Sequence, residues 1–320
     1  LKLLNGKFYL LDRMGTKLLC FDRDGKFLKK FEARGNGPDE YFMLCFLAAD
    51  PVSKKILVAD DVVRKIFIFD EFLNLEHVVK VDFTPKQVIA FRDDMILRYE
   101  NDNKEQYQDS LLRDYDLHWI DLKGDVVQGM IRNRTPKYGL SFLSASGYLD
   151  NGDILYYPTL GDTVYRVAVS ERTVSPAYII ESGDEDVKLL NDEQRREMDP
   201  NAELPEYEKR NYFFPVEFFN VGSHILLRSG MDDMYLYSKN SGNAIRYDKT
   251  LENMSGDRTF DYLTSIIYAC DGDWCYGPHH AITLQYMAKD YGFSGKYKAM
   301  IDSMETDANL FLACFKVKDF

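Results

Sequence analysis

The residues that could support catalysis are few and scattered. His279 and His280 are adjacent in a loop after Pro278, and adjacent histidines seldom bind one metal ion because their side chains diverge. No set of Cys, His and Asp in the sequence has the spacing of a zinc site. There is no G-x-S-x-G elbow for a catalytic serine, and the nearest pattern, Ser144–Gly147, lacks a strand-to-helix context. We therefore expect no catalytic residue, no metal and no cofactor.

Two glycine-containing loops suggest ligand binding but are better explained as turns. Asp22-Arg23-Asp24-Gly25 resembles the start of a calcium loop, yet an EF-hand loop needs Gly at its sixth position and Glu at its twelfth. Ala33 occupies that twelfth position, so we predict an Asp-Gly hairpin turn. Gly35–Pro38 lacks the Lys and the following helix of a phosphate-binding loop, and we predict a crossing between two sheets. The one compact basic cluster, Arg132–Lys137, is interpreted as an ordinary turn.

The strands that would position these residues are predicted from a sequence repeat. Lys7–Arg13 and Lys55–Asp61 are apolar runs with Asp near their ends, and they are separated by 48 residues. Each is followed ten residues after its start by a second apolar run, which ends in Phe-Asp. Short runs of this composition favour β-strands. A fixed period of roughly 40 to 50 residues is typical of propeller blades or helical arrays.

Weaker copies of the paired runs recur along the chain. Six runs open the copies, near residues 7, 55, 94, 153, 224 and 273. Six radially arranged sheets form a recognised closed architecture, whereas a β-sandwich would not keep a repeated interval between strands. We therefore predict an all-β protein, a single six-bladed β-propeller domain over residues 1–320. Helical insertions are expected at about 184–210 and 281–305.

The ends of the predicted propeller carry two further expectations. The sixth blade is expected to open with a strand over Phe260–Ala269. The final strand, Asn309–Val317, is expected to complete a sheet shared with the N-terminal segment, because closing the ring in this way removes free sheet edges.

Composition restricts the class of partner. The chain has 320 residues, a net charge of -12 and an aromatic fraction of 14%, which suits sheets packed face to face. The acidic balance disfavours nucleic acid and anionic membranes, both of which attract basic patches. No apolar run reaches the length of a transmembrane helix.

The five cysteines fall into two groups. Cys20, Cys45 and Cys314 lie in apolar, strand-like runs and are expected to be buried thiols. Cys270 and Cys275 flank a predicted hairpin turn, where opposed positions can approach the distance of a disulfide. The sequence leaves open whether these two are joined, and an oxidising compartment would favour the bond.

One family resemblance covers nearly the whole chain. Gly35–Tyr41 followed by Lys55–Phe72 resembles the NHL-like six-bladed β-propeller family, whose pattern is G-x-G-P-G-E-[YF], an apolar strand, an Asp, and a strand ending in Phe-Asp-x-x-Gly. The chain departs from this pattern at Asp39 and at Leu73, where the family has Gly, while Phe21–Phe27 matches fully. The family is abundant in Bacteroides-type bacteria and often carries a lipoprotein signal. The resemblance implies the fold and a periplasmic or outer-membrane-anchored location, with a lipid anchor upstream of Leu1, but no activity.

The leading functional hypothesis is a non-enzymatic, extracytoplasmic binding or scaffold module. Its partner would be a small ligand, a glycan, a peptide or another envelope protein. Face loops and the central channel of a propeller collect side chains from several blades. The residues expected to contact the ligand are Arg34, Asn36, Glu40, Tyr41, Asp61 and Arg64.

The alternative is a divalent-metal-dependent hydrolase or lactonase that uses the central channel. Lactonase and strictosidine-synthase-like enzymes resemble the fold predicted for this chain. These enzymes hold a divalent ion in the central channel through Glu, Asn and Asp. Glu217, Asn220 and Asp271 lie near predicted inner strands. Their spacing does not distinguish them from polar residues that line a wet channel, so the alternative stays open.

Overall fold

The chain forms six small antiparallel sheets, the blades of a six-bladed β-propeller. This confirms the predicted fold class. The computed structural model describes residues 1–12, 16–85, 87–99, 108–132, 145–149, 151–158, 161–181, 191, 193–194, 215–229, 233–248, 257–264, 267–290, 292–305 and 311–317. Two compact units can be distinguished, Leu1–Glu217 and Phe218–Phe320.

The first unit contains four sheets, each built from four consecutive strands. The first sheet consists of β1 (Lys2–Leu4), β2 (Lys7–Asp12), β3 (Lys17–Phe21) and β4 (Phe27–Phe31), and the second of β5 (Leu44–Asp50), β6 (Lys55–Asp60), β7 (Lys65–Asp70) and β8 (Leu75–Lys80). The third consists of β9 (Val88–Arg92), β10 (Met95–Tyr99), β11 (Tyr115–Asp121) and β12 (Val126–Arg132), and the fourth of β13 (Ala145–Tyr148), β14 (Ile154–Tyr157), β15 (Thr163–Ala168) and β16 (Thr173–Ile179). A short helix, α1 (Ser110–Asp114), precedes β11.

The rest of the chain forms two sheets and three helices. The fifth sheet consists of β17 (Pro215–Val221), β18 (His224–Ser229), β19 (Asp233–Ser238) and β20 (Ala244–Asp248). The sixth consists of β21 (Ala269–Asp271), β22 (Trp274–His279) and β23 (Phe311–Lys316), and has three strands among the described residues. The helices are α2 (Arg258–Thr264), α3 (Ala281–Asp290) and α4 (Lys296–Asp302). No helix in the described part of the chain is long and apolar enough to cross a membrane.

The six predicted repeat openings correspond to real strands, but to the second strand of each sheet. β2, β6, β10, β14, β18 and β22 begin within one residue of the predicted positions. Each sheet starts one strand earlier than the repeat indicates. In the four-stranded sheets the second and third strands are both flanked by neighbouring strands, which is why the sequence shows them as paired apolar runs. In β6, for example, every residue from Ile56 to Asp60 is buried.

The core of the first unit lies between adjacent sheets. In β6, Leu57 and Ala59 pack with residues of the third sheet, whereas Ile56 and Val58 pack with residues of the first. Both faces of the second sheet are therefore buried, which explains its nearly continuous apolar strands. Each fully buried leucine, isoleucine or valine side chain contributes about 1.5–3 kcal/mol relative to an exposed one.

The outer hairpins share one turn design, and the predicted Asp-Gly turn at Asp22 is confirmed. The Asp22 carboxylate accepts hydrogen bonds from the backbone N–H groups of Asp24 and Lys26, and Gly25 adopts a positive φ. Asp70 accepts in the same way from the second and fourth residues after it. There the residue with positive φ is Leu73, so the departure from the NHL-like pattern noted in the sequence falls on a backbone position that favours glycine.

Two expectations about the last blade were wrong. The predicted strand over Phe260–Ala269 is replaced by α2, which begins where the Asp257 carboxylate accepts hydrogen bonds from the N–H groups of Thr259 and Phe260. This capping overrides the β-propensity of the aromatic residues. The final strand, β23, pairs with β22 in the sixth sheet and not with the N-terminal segment. β1 instead pairs with β2 through the Asn5-Gly6 turn, in which both residues have positive φ.

The cysteine expectations are confirmed at two positions and wrong at a third. Cys20 and Cys45 are buried, as predicted. Cys314 is exposed, because the alternation of β23 turns Ala313 and Phe315 toward the protein and Cys314 away from it.

Some predictions fall on residues that the structure does not describe. Of the predicted insertion at 184–210, only Asn191, Glu193 and Gln194 are described. The basic cluster Arg132–Lys137 lies outside the described residues except for Arg132, as does Ser144 of the Ser144–Gly147 pattern.

Candidate functional site

The residues expected to contact a ligand lie on two loops that meet at one buried carboxylate. These are the β4–β5 loop, residues 32–43, and the β6–β7 turn, residues 61–64. Asp60 ends β6 and is fully buried. Its Oδ2 accepts hydrogen bonds from the N–H groups of Phe42 (2.6 Å) and Met43 (2.9 Å), and its Oδ1 from those of Val62 (2.9 Å) and Val63 (3.1 Å). One side chain thus ties the two loops together.

Lys65 provides a second link between the same elements. It begins β7, and its ammonium group donates to the carbonyl oxygens of Gly37 (2.6 Å), Pro38 (2.9 Å) and Glu40 (2.8 Å) in the β4–β5 loop. All three donors of the ammonium group are therefore used, and hydrogen bonds from a charged donor are stronger than neutral ones. The loop is held in one shape by this cation.

Glu40 folds back into its own loop. Its Oε2 accepts a hydrogen bond from the N–H group of Gly37 at 2.7 Å. A Cβ atom placed at Gly35 would lie 2.1 Å from the same oxygen, and one at Gly37 would lie 3.0 Å away. The two glycines therefore make room for the Glu40 carboxylate, and this residue shapes the loop.

Tyr41 is fully buried and anchors the β4–β5 loop to the core. Its hydroxyl donates a hydrogen bond to the carbonyl oxygen of Thr16, and its ring centroid lies 5.5 Å from that of Phe31 and 6.2 Å from that of Phe67. Burial raises the pKa of the Tyr41 hydroxyl. The ligand contact expected of Tyr41 from the sequence is not available in this structure, because the ring belongs to the core.

The exposed part of the two loops is amphipathic. Phe42 is 46% exposed and Val62 is 50% exposed, and the Asp60 carboxylate holds the backbone of both. The guanidinium carbon of Arg34 lies 5.5 Å from the centroid of the Phe42 ring, within the range of a cation–π contact. We group six residues of these two loops as the Phe42 surface: the exposed Arg34, Asn36, Phe42, Val62 and Arg64, and the partly buried Asp61.

Asp61 is fixed by a buried thiol. The Sγ of Cys45 donates to Oδ1 of Asp61 at 2.8 Å. Burial raises the pKa of the Cys45 thiol to about 12, and the hydrogen bond to Asp61 contributes to the shift. The thiol therefore stays protonated near neutral pH and acts as a donor, not as a nucleophile.

Arg64 is held at the end of the turn by its backbone and its side chain. Its φ is 55°, in the left-handed region that non-glycine residues rarely adopt. Its carbonyl oxygen accepts from the N–H group of Val81 at 3.0 Å, and its Nη1 donates to the carbonyl oxygen of Asp82 at 3.1 Å. Arg64 is still exposed, so its guanidinium group can also reach a ligand.

The sequence interpretation missed the residues that build this surface. Asp60 and Lys65 organise the loops, and Phe42 and Val62 are its exposed apolar groups. A buried strand that ends in two consecutive acidic residues was a usable signal for Asp60, because a carboxylate at such a position needs backbone donors. The exposure of Phe42 could not be read from a sequence in which aromatic residues are mostly core.

The residues of the metal-dependent alternative are not assembled into a site in the described part of the chain. Asn220 accepts a hydrogen bond from the Lys239 ammonium group at 2.8 Å, and Asp271 lies exposed beside the β21–β22 turn. The side chain of Glu217 is outside the described residues. Among the residues that the structure describes, no group of three or more His, Cys, Asp and Glu side chains could hold a metal ion.

The two adjacent histidines have different surroundings. His279 is buried, its Nε2 lies 3.1 Å from the carbonyl oxygen of Leu263, and its ring stacks on Phe311. Desolvation lowers the pKa of His279, so the neutral ring with its proton on Nε2 is the favoured form. His280 is exposed. The pair does not converge on a common point, in agreement with a structural role.

Sequence comparison identifies the family. A profile described as a domain of unknown function, DUF4934, matches residues 1–316. The chain belongs to the DUF4934 family. No curated protein matches the sequence of this DUF4934 chain.

Solved structures show what the DUF4934 chain resembles in three dimensions. The crystal structure of a "putative exported protein" from Bacteroides fragilis matches with a TM-score of 0.70 at 18% identity, covering 99% of this chain and 89% of that one. A Bacteroides caccae protein of unknown function matches with a TM-score of 0.46 at 12% identity, covering 79% of this chain and 83% of that one. A Bacteroides vulgatus member of the DUF4221 family matches with a TM-score of 0.46 at 11% identity, covering 72% of this chain and 75% of that one. The first match shows a shared fold, and at these identities none of the three shows a shared ligand.

Proposed function

We propose that the protein is a non-enzymatic, extracytoplasmic binding module and that its ligand docks on the Phe42 surface. The observation that carries the proposal is the Asp60 carboxylate, whose two oxygens hold Phe42 and Val62 in place while both side chains remain about half exposed. A surface fixed before binding loses little conformational entropy when a ligand arrives. An aromatic residue with an arginine beside it is also the composition typical of binding hot spots.

The chemistry of the surface favours a peptide segment of an envelope protein. Phe42 and Val62 offer two apolar contacts, and Arg34 and Arg64 offer two exposed guanidinium groups. An extended peptide with apolar and acidic side chains would satisfy both kinds of group, since arginine pairs with carboxylates in bidentate geometry. A neutral glycan would leave the guanidinium groups without a counter-charge.

Two findings support an envelope location. The Gly35–Tyr41 loop and the strand that follows it resemble the NHL-like propellers of Bacteroides-type bacteria, and we propose that the DUF4934 family is part of that group. The similar structure from Bacteroides fragilis carries the description of an exported protein. We propose a periplasmic or outer-membrane location with a lipid anchor upstream of Leu1, which fractionation of the native host and mass spectrometry of the anchored N-terminus would test.

The binding proposal is tested with a matched pair of phenylalanines. Phe42 and Phe72 are both exposed, at 46% and 58%, and a cation lies over each ring. Peptides selected from a displayed library against the wild-type protein are titrated against Phe42→Ala and Phe72→Ala. We expect Phe42→Ala to weaken binding by about tenfold, the effect of losing a contact of about 1.4 kcal/mol. Phe72→Ala should change the affinity by less than about twofold, which is the scatter expected of a residue outside the interface.

The opposite results would contradict the proposal. If both variants lose the same affinity, or if the selected peptides bind both variants as tightly as the wild type, the ligand does not dock on the Phe42 surface. If the protein binds oligogalacturonate but no peptide, the ligand class is an acidic glycan and the peptide proposal is wrong. No observation on the described residues supports the metal-dependent hydrolase. A stoichiometric metal ion that stays bound to the purified protein through dialysis would support it.

A further inference from the structure

The β21–β22 hairpin places two cysteines directly opposite each other. The register pairs Cys270 with Cys275 and Asp271 with Trp274, so only Gly272 and Asp273 remain in the turn. Gly272 has a φ of 55°, as the first central residue of a type II′ turn requires. Such a two-residue turn closes on a hydrogen-bonded pair, here Asp271 with Trp274, and hydrogen-bonded and non-hydrogen-bonded pairs alternate along antiparallel strands. Cys270 and Cys275 are therefore a non-hydrogen-bonded pair, in which the side chains approach most closely.

This arrangement brings the two sulfur atoms into van der Waals contact. Both cysteines are present as thiols, and their Sγ atoms are 3.4 Å apart. The Cα atoms of a non-hydrogen-bonded pair are about 4.5 Å apart, at the short end of the range that disulfides accept. We propose that Cys270 and Cys275 form a reversible redox pair, which is oxidised to a cross-strand disulfide by exchange with a small-molecule or protein disulfide.

The exposure of the two thiols sets the order of the exchange. Cys275 is buried, whereas Cys270 is only partly buried. The Cys270 thiolate attacks one sulfur of the oxidant, forms a mixed disulfide, and releases the first thiol of the oxidant. The Cys275 thiolate then attacks the Cys270 sulfur and releases the second. Two protein S–H bonds are lost and one protein S–S bond forms, while the oxidant gains two electrons and two protons as two thiols.

Cys314, which lies on the same sheet, does not compete in this exchange. Cys314 pairs with Tyr276, one residue along from Cys275, and adjacent strand residues point to opposite faces. Cys275 and Cys270 pack in an apolar cluster with Phe315, whereas Cys314 is exposed. Cys314 therefore serves as an internal control for thiol reactivity. It lies on the same sheet and is more accessible than the pair, but its side chain points away from both cysteines.

The disulfide is expected to be reversible because the Cα atoms of the two cysteines are close together. Its formation should affect only the neighbouring strands. A disulfide at the limit of its preferred geometry is more reducible than a relaxed one. The turn that it would brace packs closely on its neighbours: a Cβ atom at Gly222 would lie 2.0 Å from Asp273 Oδ1, and the carbonyl oxygen of Asp273 accepts from Val317 at 3.4 Å. Oxidation would thus stiffen the point where β21, β22 and the end of β23 meet.

The proposal is tested on the intact wild-type chain. Reduced protein is equilibrated without oxygen in buffers of graded glutathione to glutathione disulfide ratio, alkylated, and digested with a protease that cleaves before Asp271 and Asp273. We expect the peptides carrying Cys270 and Cys275 to become linked as the buffer becomes more oxidising. Free thiols should fall from five to three. Excess dithiothreitol should restore all five thiols in the folded protein, without denaturant.

Two variants complete the design. Cys314→Ser should still lose two thiols on oxidation, whereas Cys270→Ser should form no intramolecular link. The thermal midpoint of the wild type should rise on oxidation, and that of Cys270→Ser should not. Both cysteines remaining alkylated at every ratio, a link to Cys314, or a linked pair that resists reduction until the protein unfolds would each overturn the proposal.

Discussion

At the scale of single residues, Leu73 combines two opposed effects. Its φ of 56° is a conformation that favours glycine, while its side chain is buried in the core between the first and second sheets. The left-handed conformation costs about 1–2 kcal/mol for a residue with a Cβ atom. Burial of the leucine side chain is worth about 1.5–3 kcal/mol, which is why leucine can be accommodated at a backbone position that favours glycine.

Two substitutions at Leu73 separate these effects. Leu73→Ala keeps the backbone strain and loses the burial, so it should destabilise the protein by about 2–4 kcal/mol. Leu73→Gly also loses the burial but removes the strain, so it should be about 1 kcal/mol more stable than Leu73→Ala. Urea unfolding of both variants measures the difference. A glycine variant that is less stable than the alanine variant would show that backbone strain is not a significant cost here.

His279 makes a contribution that depends on pH. Because burial lowers its pKa in the folded state, the unfolded state takes up a proton at higher pH than the folded state does. Its contribution is complete above the ordinary histidine pKa of about 6.5 and is lost as the pH falls through and below that value. In unfolding experiments between pH 7 and pH 5, His279→Gln should lose less stability on acidification than the wild type does. His280→Gln, a change at an exposed position, should follow the wild type, and an equal slope in all three proteins would contradict the assignment.

At the scale of elements, the candidate surface depends on Asp60. Its two oxygens each accept two backbone hydrogen bonds, and asparagine can replace only one of those oxygens. Asp60→Asn should therefore leave two partly buried N–H groups without acceptors and cost about 2–4 kcal/mol. Hydrogen exchange at residues 42–43 and 62–63 should rise more than exchange in the sheets.

Asp70 provides the matched control for this change. A single oxygen, Oδ1, accepts from the N–H groups of both Phe72 and Asn74. Asparagine can keep both of these backbone hydrogen bonds and loses only the exposed one that Oδ2 accepts from the Asn74 side chain, so Asp70→Asn should cost about 1 kcal/mol or less. Equal destabilisation by the two substitutions would mean that Asp60 does not clamp the loops as described.

The strands could be predicted from the sequence more fully than the connections between them. The paired apolar runs that begin at Lys7 and Lys55, together with their weaker copies, located the second strand of every sheet, because period and composition are local properties. The helix α2 was missed since one capping residue, Asp257, outweighed the β-propensity of the residues that follow it. The pairing of β23 depends on a partner more than thirty residues away in the chain, which no local pattern specifies.

At the scale of the whole molecule, the family match and the fold extend over the chain, while the proposed function depends on one surface. The DUF4934 match and the resemblance to an exported Bacteroides protein concern the entire chain and carry no ligand. Of the six residues expected to contact a ligand, Arg34, Asn36, Asp61 and Arg64 lie on the Phe42 surface, while Glu40 and Tyr41 shape the loop beneath it. The distinction could not be made from the sequence, because burial separates neighbouring residues such as Tyr41 and Phe42.

The measurement that tests this account most directly is photo-crosslinking in the native bacterial host. A benzophenone amino acid replaces Phe42 in one strain and Phe72 in a second, since both positions are exposed and tolerate a large aromatic group. The account predicts a discrete cross-link to an envelope protein from position 42 and none from position 72. Cross-links of equal yield from both positions, or from position 72 alone, would contradict it.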